Sequence, residues 1–123
     1  MAAVYDLRYG PFPLTTKGID GNKVPAKIGC YALGALNKAG NGIVVLRVGR
    51  SDGNVNGRLK QYIGASGFEE CTHFLFDVFA TPEDAFDVEC LLFHDFEPIL
   101  NENHPGRPAG SDRCCPLDDC TGG

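Results

Sequence analysis

A chain of 123 residues, 43% hydrophobic and 22% charged, is long enough for one domain with one core and needs neither disulfides nor a metal to fold. No apolar run approaches the ~18 residues of a membrane span, and no signal-peptide stretch opens the chain, so a cytoplasmic protein with no membrane partner is expected, its six Cys being thiols or metal ligands. A net charge of −5 excludes a protein that coats nucleic acid indiscriminately.

Residues 1–23 are rich in Gly, Pro and Thr, and Pro11, Pro13, Gly18 and Gly21 break any period; they read as an irregular N-terminal arm. Residues 28–36 are small or apolar and residues 43–48 mostly β-branched. The turn-forming run Asn37-Lys38-Ala39-Gly40-Asn41-Gly42 between them predicts an antiparallel hairpin. If the hairpin is symmetric about Ala39, Tyr31 and Arg47 are cross-strand neighbours. Residues 54–63 predict a short helix with Val55, Leu59, Tyr62 and Ile63 on one side, closed by Gly64. Residues 73–79 alternate as a third strand, with Phe74, Phe76 and Val78 on one face.

A longer helix follows. Thr81-Pro82-Glu83-Asp84 supplies an N-cap hydroxyl, a first-turn proline and two carboxylates at the positive end of the dipole. Ala85, Phe86, Leu92, Phe93 and Phe96 mark the buried face, and the helix must stop before Pro98. The order of elements predicts an α+β fold, a small three-stranded antiparallel sheet flanked by helices. Its expected organisation is an arm over residues 1–23, the domain over 24–103 and a Pro-, Gly- and Cys-containing tail over 104–123.

Glu89 breaks the apolar stripe of that helix, four residues after Ala85 and four before Phe93. A carboxylate aimed inward finds a cation, a metal or a proton, because an unpaired buried charge is expensive. Other reactive side chains fall at the ends of the predicted elements. Tyr31 is on the first strand, Arg47, Arg50 and Ser51 are on or just past the second, and Asn101 follows the last helix. Arg58 and Tyr62 are four apart and share a helix face. A carboxylate for Mg2+, a guanidinium for an anion and two phenols together suit phosphoryl chemistry. Charge is also divided: residues 1–68 carry nine Lys and Arg against three Asp, and residues 69–123 carry two Arg against thirteen Asp and Glu. That division implies two electrostatic faces.

These residues carry a resemblance. Gly29-Cys30-Tyr31 resembles the first half-motif of the GIY-YIG nuclease superfamily, and Val48-Gly49-Arg50-Ser51 resembles the end of the second. Gly57-Arg58-Leu59-Lys60-Gln61-Tyr62 resembles the family's helix, Glu89 falls at its metal-binding glutamate and Leu100-Asn101 at its late Leu-Asn. The spacing is similar to that of the branch that makes incisions in bacterial excision repair. Over residues 24–103 the resemblance implies hydrolysis of DNA phosphodiesters, with RNA as a further nucleic-acid partner, using Mg2+ or Mn2+ on Glu89. It implies that Tyr31 and Tyr62 prepare the attacking water and Arg58 holds the phosphate, while Arg47, Arg50, Ser51 and Asn101 contact substrate. Cations near Tyr31 (Arg47, Arg50 and Arg58) are then needed to lower a phenol whose ordinary pKa is about 10. A protein partner is expected to help target so short a chain.

One position departs from the family. The second half-motif normally begins with tyrosine, and this chain has Arg47. A guanidinium can contact the same phosphate but lacks the phenol's transferable proton. The alternative is therefore a binding module for nucleic acid or protein that keeps the scaffold without the chemistry, and Glu89 capped by an arginine would favour it. A third reading is a metal-stabilised interaction domain. Cys115-x-x-x-x-Cys120, with Cys114 adjacent and His104 upstream, lies within zinc-ligand spacing and would need Cys30, Cys71 or Cys90 to complete a structural Zn2+ site.

Overall fold

The computed structural model describes residues 7–96 and 98–101. Apolar runs separated by Gly-, Asn- and Pro-rich turns give strand β1 (Tyr9–Pro13), helix α1 (Thr16–Gly21), strands β2 (Gly29–Leu36) and β3 (Ile43–Ser51), helix α2 (Val55–Lys60), strand β4 (His73–Val78) and helix α3 (Pro82–Phe96). The strands form one antiparallel sheet in the order β1-β4-β2-β3, flanked by the three helices, so the fold is α+β.

Side chains of β2 alternate between two cores. Tyr31 and Leu33 join Ile19, Val55, Leu59, Phe74 and Phe76 on the side of α1 and α2. Cys30 and Ala32 join Val48, Ala85, Val88 and Leu92 on the side of α3. Each large apolar side chain buried this way contributes about 2 kcal/mol. Asn54 caps α2 by accepting from Gly57 N at 2.8 Å, and the chain after α2 turns at Gly64 with φ +72°, a left-handed value that suits glycine. Thr81 caps α3 by accepting from Asp84 N at 3.1 Å.

The expected three-stranded sheet has a fourth strand, drawn from the segment that reads as an irregular arm. Pro11 and Pro13 fit in β1 because it is an edge strand, paired on one side only with β4. Leu14 and Ile19 enter the core, so the segment 9–21 packs on the domain. Arg8 fixes it in place, donating from Nε and Nη2 to the Asp77 carboxylate at 2.9 Å each, and Asp77 is fully buried in β4.

The hairpin register also departs from expectation. Tyr31 lies opposite Gly49, and Arg47 lies opposite Leu33. The loop between β2 and β3 centres the turn between Ala39 and Gly40, and a bulge at Leu46 moves the pairs beyond it by one more residue. The expected zinc ligands His104, Cys114, Cys115 and Cys120 lie outside the described residues. Among those described, no group of three or more His, Cys, Asp or Glu is placed to hold a metal, and Cys30, Cys71 and Cys90 are buried thiols. No helix among them is long and apolar enough to cross a membrane.

The new register sets a close contact. A Cβ on Gly49 would run into the ring and hydroxyl of Tyr31. Gly49→Ala is therefore expected to cost about 1–3 kcal/mol, the usual range for overpacking, and to displace the Tyr31 hydroxyl. Urea unfolding measures the cost; a variant as stable as wild type would show that the ring moves aside without penalty.

Candidate active site

Tyr31 is 1% exposed. Its ring crosses Gly49, so a phenol rooted on the central strand brings its hydroxyl over the edge strand β3. There it shares a 2.8 Å hydrogen bond with the Tyr62 hydroxyl. Tyr62 follows α2 directly, and its ring packs edge-on against Phe68 with centroids 4.9 Å apart. The Arg47 guanidinium covers both rings, 5.9 Å from the Tyr62 centroid and 5.8 Å from that of Phe68. Its Nη1 donates to the Leu100 carbonyl at 3.0 Å. Its Nε is buried without a partner, alone in this respect among side-chain polar atoms of the described residues. Arg58 is exposed on α2, and no ion pair to it occurs among the described residues.

The arginines needed to lower the Tyr31 phenol are present, yet burial outweighs them. Desolvation drives the phenol well above its ordinary value and the adjoining Tyr62 adds to it, while the charges of Arg47 and Arg58 pull back only part of the way. Tyr31 is a protonated phenol at any ordinary pH.

The second group sits on the α3 side of β3. Glu89 is 8% exposed, and its Oε1 accepts from Arg50 Nη1 at 2.7 Å. Arg50 Nε donates to Asp52 Oδ1 at 2.6 Å, so one guanidinium bridges two carboxylates. An arginine does cap Glu89, as the binding-module alternative requires, and it is Arg50 rather than Arg47. The second Glu89 oxygen accepts no hydrogen bond among the described residues. Burial pushes the Glu89 carboxyl up to about 7 against the pull of Arg50. Burial also opposes the charge on Arg50, but Asp52 and Glu89 together hold it above its ordinary value. The charge of Arg47 acts on both Glu89 and Tyr31, so it links the two groups across the β3 edge.

Two expected substrate contacts have other work. Asn101 Oδ1 accepts from Val48 N and its Nδ2 donates to Val48 O, both at 2.9 Å, so both ends of the amide are taken up by the β3 backbone. Ser51 Oγ accepts from Asn54 N at 2.9 Å and holds the turn into α2. Asp52 and Phe68 were not expected at the site. Asp52 stands two residues past Arg50, the same-face spacing of a strand end, and that spacing is its sequence signal. Phe68 comes from a Gly- and Ser-containing loop with no period and has no such signal.

No protein-family model matches the sequence, and no characterised protein matches it at the sequence level. Solved structures do match. They are point mutants of the GIY-YIG N-terminal endonuclease domain of UvrC from Thermotoga maritima, each bound to its catalytic divalent cation. One has a TM-score of 0.53 at 22% identity, over 68% of this chain and 94% of that one. A second gives 0.53 at 21% over 68% and 93%, and a third 0.52 at 19% over 66% and 91%. The protein thus belongs to the α+β class with an antiparallel sheet packed between helices. Within that class, its fold is that of the GIY-YIG endonuclease domain.

The residues present fit a divalent cation of the kind those structures hold. Glu89 offers one hard oxygen that accepts no hydrogen bond among the described residues, and Asp52 adds negative charge across the same guanidinium. Mg2+ and Mn2+ accept few protein oxygens and keep their waters.

The Glu89 carboxyl has a folded-state pKa above its unfolded value. Its protonated form therefore favours the fold below the ordinary carboxylate range, and that contribution is lost as pH rises through about 7. Glu89→Gln, a mimic of the protonated form, is expected to raise metal-free stability by roughly 1–2 kcal/mol near about pH 8 and by nothing near about pH 4, read by urea unfolding. A loss of roughly 2 kcal/mol or more at the higher pH would make Arg50–Glu89 a net structural ion pair.

Proposed function

We propose that this protein is a divalent-metal-dependent endonuclease domain that hydrolyses DNA phosphodiesters at the β3 edge. The observation that carries this reading is the Tyr31–Tyr62 pair, 2.8 Å between hydroxyls, set over Gly49 under the charges of Arg47 and Arg58. Glu89 holds the ion, which when bound neutralises the phosphate and eases departure of the leaving oxygen. Arg58, exposed on α2, holds the phosphate and stabilises the charge of the pentavalent transition state; one such donor is typically worth about 3 kcal/mol. Tyr31 stays protonated, so it does not act as a phenolate. It orients the attacking water, accepts its proton while giving its own to Tyr62, and Tyr62 releases a proton to solvent. Arg47 takes the position of tyrosine in the resembled motif, and its buried Nε meets a phosphate oxygen, the partner it lacks among the described residues. Arg50 and the Ser51 hydroxyl proton flank the same phosphate.

Basic charge in the first half of the chain steers DNA to this edge. Lys60 is partly neutralised by Asp20 at 2.9 Å, so Arg58 is the stronger electrostatic contact. Arg58→Ala should flatten the salt dependence of DNA binding by about one phosphate's worth of counterion release, and Lys60→Ala should flatten it less. Binding that does not respond to salt removes the electrostatic basis of the reading.

The Arg50–Glu89 ion pair favours a second reading, a nucleic-acid-binding module without cleavage. Cleavage of branched, nicked and single-stranded DNA, and of RNA in parallel, in Mg2+ and in Mn2+ with Glu89→Ala as control, separates the two. The nuclease reading expects cleavage that requires metal and Glu89; DNA binding with no cleavage in either metal expects the module. In the active enzyme Arg47→Ala should lose about 10²-fold, the scale of one transition-state donor, and Arg47→Tyr should retain or raise activity. An active enzyme indifferent to Arg47→Ala does not use this position.

A further inference from the structure

Arg50 stands where its charge matters most to a metal on Glu89. Its guanidinium lies 2.7 Å from Glu89 Oε1 and 2.6 Å from Asp52 Oδ1, and its side chain is only 11% exposed. A divalent ion bound at Glu89 and a guanidinium held against the same carboxylate repel each other at this separation, in surroundings drier than water. We infer that Arg50 is a built-in competitor for the metal, and that Asp52 is the positioning residue that draws the guanidinium off Glu89 when the ion binds. The inference rests on the reading of Glu89 as the holder of the metal.

Three features support the exchange. Arg50 already reaches Asp52 through Nε at 2.6 Å and places Nη2 3.5 Å from the second Asp52 oxygen, so a small rotation completes a two-bond fork to Asp52. Asp52 is the more exposed carboxylate, 42% against 10% for the Glu89 side chain, and accepts the guanidinium at less desolvation cost. Glu89 Oε2 accepts no hydrogen bond among the described residues, so an ion can bind there before Oε1 is released.

The test is Mn2+ binding to the full chain without DNA, read from the paramagnetic resonance of the unbound ion near about pH 8, where a proton does not replace the guanidinium on Glu89. Arg50→Gln should tighten Mn2+ about tenfold, within the usual range of coupling between sites. Asp52→Asn should weaken it several-fold in the wild-type background, and the effect should shrink when Arg50→Gln is also present. Arg50→Met, which also removes the charge but keeps an unbranched stem, should likewise bind more tightly than wild type and serves if Arg50→Gln fails to fold by circular dichroism. Equal Mn2+ affinity in wild type and both Arg50 variants, with binding abolished by Glu89→Gln, overturns the competition and leaves Glu89 as metal holder. An Asp52→Asn loss of the same factor in both backgrounds makes Asp52 a ligand or a distant charge and overturns its positioning role. No Mn2+ bound by any folded variant overturns both the inference and the metal reading beneath it.

Discussion

A side chain at position 49 and the ring of Tyr31 cannot occupy the same space, and the arrangement of the whole site depends on that exclusion. Hydrogen alone at Gly49 lets a phenol on the central strand reach the edge strand. One residue thereby serves twice: the Tyr31 ring packs in the α2-side core, and its hydroxyl stands beside Tyr62. The exclusion also constrains register. A slip of one residue in β3 would put Val48 or Arg50 beneath the ring and turn every side chain of the strand to the other face. The bulge at Leu46 is therefore part of the site, because it sets Gly49 opposite Tyr31.

Electrostatics at the edge are asymmetric by construction. On the α2 side a hydrogen-bonded phenol pair lies near Arg47 and Arg58, neither of them ion-paired among the described residues. On the α3 side a carboxylate made costly by burial leans on an arginine that Asp52 shares. The first group is thus electropositive, and the second sets two carboxylates on one guanidinium. Arg50 meets one Glu89 oxygen, and burial still holds the carboxyl above the usual carboxylate range.

How much of this was legible in the sequence depends on how local each cause is. Helix α3 was legible because the Thr81 cap, Pro82 and the apolar stripe are all short-range signals, and Glu89 stood out against that stripe. The β2–β3 hairpin was legible from its two apolar runs and their turn, but its register was not, because nothing in Leu46 announces a bulge. Strand β1 was hidden by Pro11 and Pro13, which forbid a central strand and are compatible with an edge; only the tertiary position of the strand resolves the ambiguity. The partner of Glu89 was illegible for the same reason. Arg47, Arg50 and Arg58 are all plausible by type, and the choice follows from strand alternation, which turns Arg50 toward α3 with Val48. The family resemblance read in the half-motifs is matched by the fold, although sequence identity to the matching structures is only 19–22%.

The same long-range dependence gives Asn101 a structural part. Its amide takes both the N–H and the carbonyl of Val48, and Leu100 N donates to Leu46 O at 2.9 Å, so the segment after α3 lies along the open edge of β3 like a short added strand. That segment also supplies the Leu100 carbonyl that holds Arg47. Two backbone atoms at Val48 and one carbonyl at Leu100 thus fix the Arg47 guanidinium. Arginine suits the position because it is long enough to reach that carbonyl and flat enough to lie on Tyr62 and Phe68. A tyrosine at position 47 would keep the aromatic contact and lose the Leu100 hydrogen bond. The cost of that placement is one stranded polar atom: Nε is buried and finds no hydrogen-bond partner among the described residues.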